Sequence, residues 1–252
     1  MNSIELDQRI VQIEGFIKVL TQQCPILDER RHILAPLLHN AQIQDALKKK
    51  LDNNIAAGAW HHLVPMLGQD LLRDQSRLFL DADGRSGSLT NLWRKLQADP
   101  ALREHFRAAY AGMFDEFHED PDEGLSLERS KEINVESRES DRARNGARFD
   151  EGWDRVRKTV DGLASDPVAV KIKMFRDKHH AHLQMQKLDK EPKAFDPNTI
   201  GLTFNEIFEF GDRCQHAVAE LGLLLTGITW DPEAFADVHA RRGTAMWKAL
   251  TS

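Results

Sequence analysis

Cysteine is nearly absent: Cys24 and Cys214 are the only two in 252 residues. That is too few for a disulfide framework, and they lack the paired spacing of a zinc ribbon or a redox dithiol. Both are expected to be reduced thiols in or near the core. No long apolar run exists either, since the greasiest stretch, Leu221 to Ile228, falls far short of the roughly 20 residues that cross a bilayer. The N-terminal end carries Glu5 and Asp7 where a secretory leader would place basic residues before an apolar stretch. Positive charge is not in excess: Lys plus Arg is 34 against 40 Asp plus Glu, a net charge of −6, so no global field draws the chain to nucleic acid or anionic lipid. These absences predict a cytoplasmic protein without membrane contacts, on which any RNA contact is local.

Strict alternation of apolar and polar residues, the mark of a half-buried strand, is also missing, while helical periodicity recurs along the chain. The expectation is an all-α bundle forming a single domain over residues 1–252. Ile10, Ile13, Ile17 and Leu20 mark a first helix, expected to stop near Cys24-Pro25. A second runs from Leu34 to Leu51, with Pro36 at its start or kinking it, and a third from Trp60 to Leu80. Asp81, Asp83 and Gly84 then resemble the opening of a calcium loop. Arg85 stands at the third ligand position and Leu92 where the bidentate glutamate belongs, so an interhelical turn capped by Ser88 is expected instead. Asp99-Pro100, Asp166-Pro167 and Asp231-Pro232 each pair an N-cap acceptor with a proline at the first helical position. Thr203-Phe204-Asn205-Glu206 is a capping box that opens a helix ending at Gly227. From about 115 to 148 the composition turns to mixed charge, which predicts an exposed loop or a solvated helix.

The helix expected from Pro167 to about Leu188 carries the least ordinary pattern. Val168, Ile172 and Phe175 form one apolar stripe, and Val170, Met174, Ala181, Met185 and Leu188 a second on nearly the opposite side, at roughly 100° per residue. Such a helix is expected to be covered on both faces. Past Phe175 the first stripe turns polar with His179 and His182, and Arg176 lies at its margin. Burying these groups unpaired would cost several kcal/mol (about 2–7 each), so they face partners or a cleft. Arg176 and His182 lie about 120° apart on an ideal helix, which calls for the reach of arginine or a second copy of the helix. Between Lys171 and Lys193, seven basic residues stand against Asp177, Asp189 and Glu191, a local field that favours phosphate.

An arginine, a polar residue, and a histidine separated from the arginine by five residues, on a late helix of an all-α bundle, is similar to the HEPN superfamily; here these are Arg176, Asp177 and His182. The text Arg-Asp-Lys-x-x-Ala-His, with Leu71-Leu72-Arg73 upstream and the Ser88-Leu89 helix start, resembles the AbiU-type abortive-infection branch over roughly Trp60 to Gly227. The bundle would then be HEPN-like, with additional N-terminal and C-terminal helices. The resemblance implies a toxin or abortive-infection effector, a metal-independent endoribonuclease with no cofactor, whose site forms across a homodimer. His182 would transfer protons, Arg176 would clamp phosphate, and Asp177 would orient one of them. His179, Lys173 and Lys178 would bind the substrate RNA. An antitoxin or other regulatory protein is the expected further partner. One departure is plain: some HEPN toxins carry a tyrosine two residues after the motif histidine, where this chain has Gln184. Silencing by modification of that tyrosine is therefore not expected.

Two other readings stay open on the residues. His179 and His182, one turn apart, could share a metal ion, although no His-Glu-x-x-His and no nearby cysteine supports it. HEPN members without catalysis serve as interaction or nucleic-acid-binding modules, and a satisfied Arg176–His182 pair would suit such a module equally.

Overall fold

A computed structural model describes residues 3–118, 127–180, 196–228 and 230–252. Among the described residues the secondary structure is helical throughout, with no strand, which makes the fold all-α. The α-helices are α1 (Ser3–His39), α2 (Ala41–Leu51), α3 (Ala57–Gln75), α4 (Leu89–Ala98), α5 (Pro100–Ala111), α6 (Leu127–Leu163), α7 (Pro167–Phe175), α8 (Phe204–Thr226) and α9 (Ala236–Thr251).

The capping signals at α4, α5, α7 and α8 operate as expected, whereas Asp231-Pro232 opens no helix: Asp231 accepts from the Glu233 amide at 2.9 Å in a turn, and α9 starts only at Ala236, behind Phe235 and without a side-chain cap. Asp99 accepts from the Ala101 amide, Asp166 from the Val168 and Ala169 amides, and Ser88 from the Asn91 amide. At α8, Thr203 and Glu206 form the reciprocal capping box, and Gly227 ends the helix in the left-handed conformation at φ 67°. The Asp81–Gly87 turn spends its carboxylates internally: Asp83 accepts from the Arg85 amide at 2.8 Å and Asp81 from the Asp83 amide at 3.0 Å.

One further expectation is corrected. The first helix does not stop at Pro25, because α1 runs through both Pro25 and Pro36 to His39. A proline inside a helix removes one hydrogen bond and costs about 3 kcal/mol. Burial of Leu20, Cys24, Leu27 and Leu34 on both sides of it outweighs that cost. Helical residues from Leu34 onward therefore belong to α1, and the break falls at Asn40, which caps α2 by accepting from Ile43. Of the two expectations for the charged stretch, the solvated helix holds from Leu127 on: α6 is solvated early and apolar late, with Phe149, Trp153, Val156, Val160 and Leu163 buried.

The core forms where α1, α5, α6 and α8 meet. Cys24 and Cys214 are fully buried free thiols there, and burial pushes both well above the ordinary thiol range. Phe149 stacks on Trp153, which packs against Trp93, and Trp93 Nε1 donates to Asp161 at 3.1 Å. Along α9, the stripe His239, Gly243 and Trp247 faces α1. His239 Nδ1 lies 2.8 Å from Asp28 Oδ2, and Trp247 Nε1 donates to the Ile33 carbonyl at 2.7 Å.

Candidate functional site

Helix α7 is held against α8 at two points, its N-cap and its middle. At its start Asp166 also takes an ion pair from Arg213 at 2.7 Å. Burial alone would raise the Asp166 pKa, but Arg213 and the two capping amides outweigh it and hold the carboxyl below its usual value. One turn on, Lys171 Nζ donates to Glu206 at 3.0 Å and to the Gly201 carbonyl at 2.8 Å. The Thr203 amide, with help from Lys171, brings the Glu206 carboxyl down to about 2. Lys171 is thereby committed to the α7–α8 junction and is no part of a free phosphate field.

The sign of the Glu206 shift fixes a pH dependence. A carboxylate whose folded pKa is depressed contributes stability that is present above its ordinary value of 4.5 and is lost as pH falls towards 2. Glu206→Gln is expected to flatten the fall in melting temperature between pH 5 and pH 2 (roughly, from the carboxylate range) relative to wild type. Thermal melts across that range measure it, and parallel curves for the two proteins would refute it.

Ile172 and Phe175 are buried as expected and Val168 is half-buried, with Ala169 completing the inward face. The second stripe is not covered: Val170 and Met174 are exposed, so the expectation of a helix sandwiched on both faces is corrected for the described part. Among the described residues, the chain's own helices fill only the side towards the core. Val170 and Met174 stand about two turns and one turn ahead of Asp177.

At Arg176 the winding changes. Residues Arg176–His180 form a π-helical turn that packs on α3. The end of α3 is also π-helical, at Ser76–Leu80, and that turn packs on α7. Turns of this kind widen the helix and collect at functional sites. The 100° step behind the expected 120° separation of Arg176 and His182 does not apply across this turn.

Arg176 is half-exposed. Its Nε donates to Asp177 Oδ1 at 2.7 Å, and no described residue accepts from its terminal nitrogens. Among the described residues the terminal edge of its fork has no acceptor, and that edge has the geometry to meet an oxyanion. Lys173 and Lys178 are half-exposed on the same segment. His182, and the side chain of His179, lie outside the described residues. The structure therefore brings Arg176 and Asp177 together. Among the described residues, no three of His, Cys, Asp and Glu converge in a metal-binding group.

A groove of about 310 Å³ beside Phe175 was not anticipated from the sequence. Gly68 and Leu72 of α3 form one wall, and Ile200, Leu202 and Phe204 the other. A side chain at position 68 would run into the Phe204 ring at 2.9 Å, so glycine sets how closely α3 approaches. The apolar residues at 200, 202 and 204 after Pro197 were the available signal.

No curated protein and no solved structure matches the chain. A family model does: the HEPN model described as AbiU2 aligns with residues 10–245, which takes in both the Arg176 turn and the α1–α9 pairing. The chain belongs to the HEPN AbiU2 family.

Proposed function

We propose that this HEPN-type module is a metal-independent endoribonuclease acting in abortive infection, with its site completed in a homodimer. The observation that carries the reading is Arg176, presented on a π-helical turn with Asp177 on its Nε and its terminal nitrogens open to an anion. RNA supplies its own nucleophile. The 2′-oxygen attacks the adjacent phosphorus while a base takes its proton, and the 5′-oxygen leaves with a proton from an acid. The products are a 2′,3′-cyclic phosphate and a 5′-hydroxyl. Such a reaction needs proton transfer near neutral pH, the role proposed for His182. It also needs a cation that holds the equatorial oxygens, the role proposed for Arg176.

Asp177 fixes the Arg176 guanidinium through its Nε and lowers the local positive charge, which makes it a positioning residue. Lys173 and Lys178, with His179, are proposed to guide the RNA backbone. A second copy of the chain brings a second motif turn to the phosphate and covers the exposed Val170 and Met174. An antitoxin or other regulatory protein is proposed as a further partner that holds the nuclease in check.

The test is incubation of purified protein with a mixed tRNA and mRNA pool in excess EDTA, comparing wild type with His182→Ala. Cleavage by wild type alone, with 2′,3′-cyclic ends, is the expected result. Equal behaviour of the two proteins would refute the assignment and favour a non-catalytic binding module, whereas activity abolished by EDTA would favour a metal held by His179 and His182.

A further inference from the structure

Helix α1 turns an apolar stripe to solvent along most of its length. At 100° per residue, Ile4, Gln8, Val11, Gly15, Val19, Gln22 and Ile26 all fall within about 40° of one line. Every one of them is exposed, and the four large apolar residues, Ile4, Val11, Val19 and Ile26, are 62, 69, 54 and 43 % exposed. The stripe does not end at Ile26 in sequence: Ile33 continues it. There α9 covers the helix, with Trp247 bonded to the Ile33 carbonyl and Arg242 3.5 Å from Glu29. The chain thus covers its own stripe where α9 reaches it and leaves the rest open.

The order of residues in the open part is the same read from either end. Ile4 and Ile26 are equidistant from Gly15, and so are Gln8 and Gln22, and Val11 and Val19. Laid antiparallel against a copy of itself about a two-fold axis through Gly15, the stripe matches Ile with Ile, Gln with Gln, Val with Val and Gly with Gly. An isologous contact requires this self-complementarity. The flanking charges select the antiparallel arrangement. It sets Lys18 beside Glu14 of the second copy, twice by symmetry, and Glu5 beside the neutral Gln23. A parallel pairing would set Glu5 beside Asp7, like charges at close range.

Gly15 adds an independent observation. A glycine inside a helix costs about 1 kcal/mol relative to alanine, and it is usually explained by a close neighbour. Here a Cβ would meet nothing within 4 Å. Among the described residues nothing calls for glycine at position 15, whereas at the crossing point of two helices it lets the backbones approach.

We propose that α1 is a homotypic docking surface, through which two copies of this chain pair antiparallel with Gly15 on the two-fold axis. The contact runs for about 33 Å along helices about 10–12 Å wide, burying on the order of 400 Å² per protomer. That is half of the roughly 800 Å² found in stable complexes, so the pairing is reversible and concentration-dependent. It does not rest on the nuclease reading. Used together with a second contact at the motif helix, it yields a tetramer where the two-fold axes intersect and an open chain of protomers where they do not.

The test uses the full chain and two readouts. Under mild oxidation at about 50 µM, a concentration suited to an interface of this size, Gly15→Cys is expected to crosslink to itself nearly completely. Gly58→Cys, at an open and exposed position of α3, is expected to stay monomeric on the same non-reducing gel. The native thiols are buried and should not contribute. In sedimentation velocity, Val11→Lys and Val19→Glu should each weaken self-association at least tenfold, and the double variant should restore it, because positions 11 and 19 face each other across the axis. Crosslinking of Gly15→Cys no faster than Gly58→Cys, or association unchanged in Val11→Lys, would overturn the proposal. Neither readout involves RNA: Arg176→Ala should leave both unchanged, so this surface and the nuclease site fail or stand separately.

Discussion

Arg176→Ala is expected to slow RNA cleavage by about 10²–10³, the loss seen when one preorganised donor to a transition-state anion is removed, with little change in stability. The two effects separate because of where the guanidinium stands. It is half-exposed, and its ion pair with the exposed Asp177 is of the kind that contributes about 0–1 kcal/mol. What alanine removes is an open donor edge, which matters only when a phosphorane forms in front of it. Arg176→Lys should recover part of the rate, since it keeps the charge and loses the fork. Asp177→Asn should leave RNA affinity near wild type and lower the maximal rate, as expected for a group that orients Arg176. Single-turnover cleavage with parallel thermal melts decides the matter. A rate unchanged in Arg176→Ala would remove this residue from the chemistry, and a collapsed melting temperature would mean that it is structural.

Gly243→Ala is expected to cost the fold about 3–5 kcal/mol, the upper part of the range for point substitutions. The added methyl would overlap the His32 carbonyl of α1, and a backbone group held inside a helix cannot rotate aside. The two helices must then part along their most extensive contact. That strains the bond between His239 and Asp28, a carboxylate only 5 % exposed, and the bond from Trp247 Nε1 to Ile33. Leaving a buried charge without its partner is among the costlier changes a fold can undergo. For a chain of this size the melting temperature should drop by on the order of 10 °C. Ala245→Ser, two residues on and exposed, serves as the control and should shift it by no more than a degree or so. Equal melting temperatures for the two variants would show that the helices can slide apart at no cost.

Legibility in the sequence followed the range of the forces involved. Caps were readable because they act within one turn: Asp99, Asp166, Ser88 and the Thr203–Glu206 box all sit where their side chains meet the orphan amides. The prolines of α1 misled for the same reason. Their local penalty is visible in the sequence, and the burial of Leu20, Cys24 and Leu34 that overrides it is not. At the candidate site, Arg176 and Asp177 were legible as residues. The π-helical winding under them was not, because it depends on the neighbouring turn at Ser76–Leu80 and on how α3 and α7 seat against each other.

By itself, the sequence determined that the chain is helical, where most of its helices begin, and that its two thiols are buried and unpaired. These follow from periodicity, capping and composition, which depend on near neighbours. Only the tertiary structure decided that α7 buries one face and exposes the other, that Lys171 is taken by Glu206, that α9 locks onto α1 at Gly243, and that the stripe around Gly15 stays open. Each of these depends on which distant helix arrives at a given surface, and that is settled by packing of the whole chain.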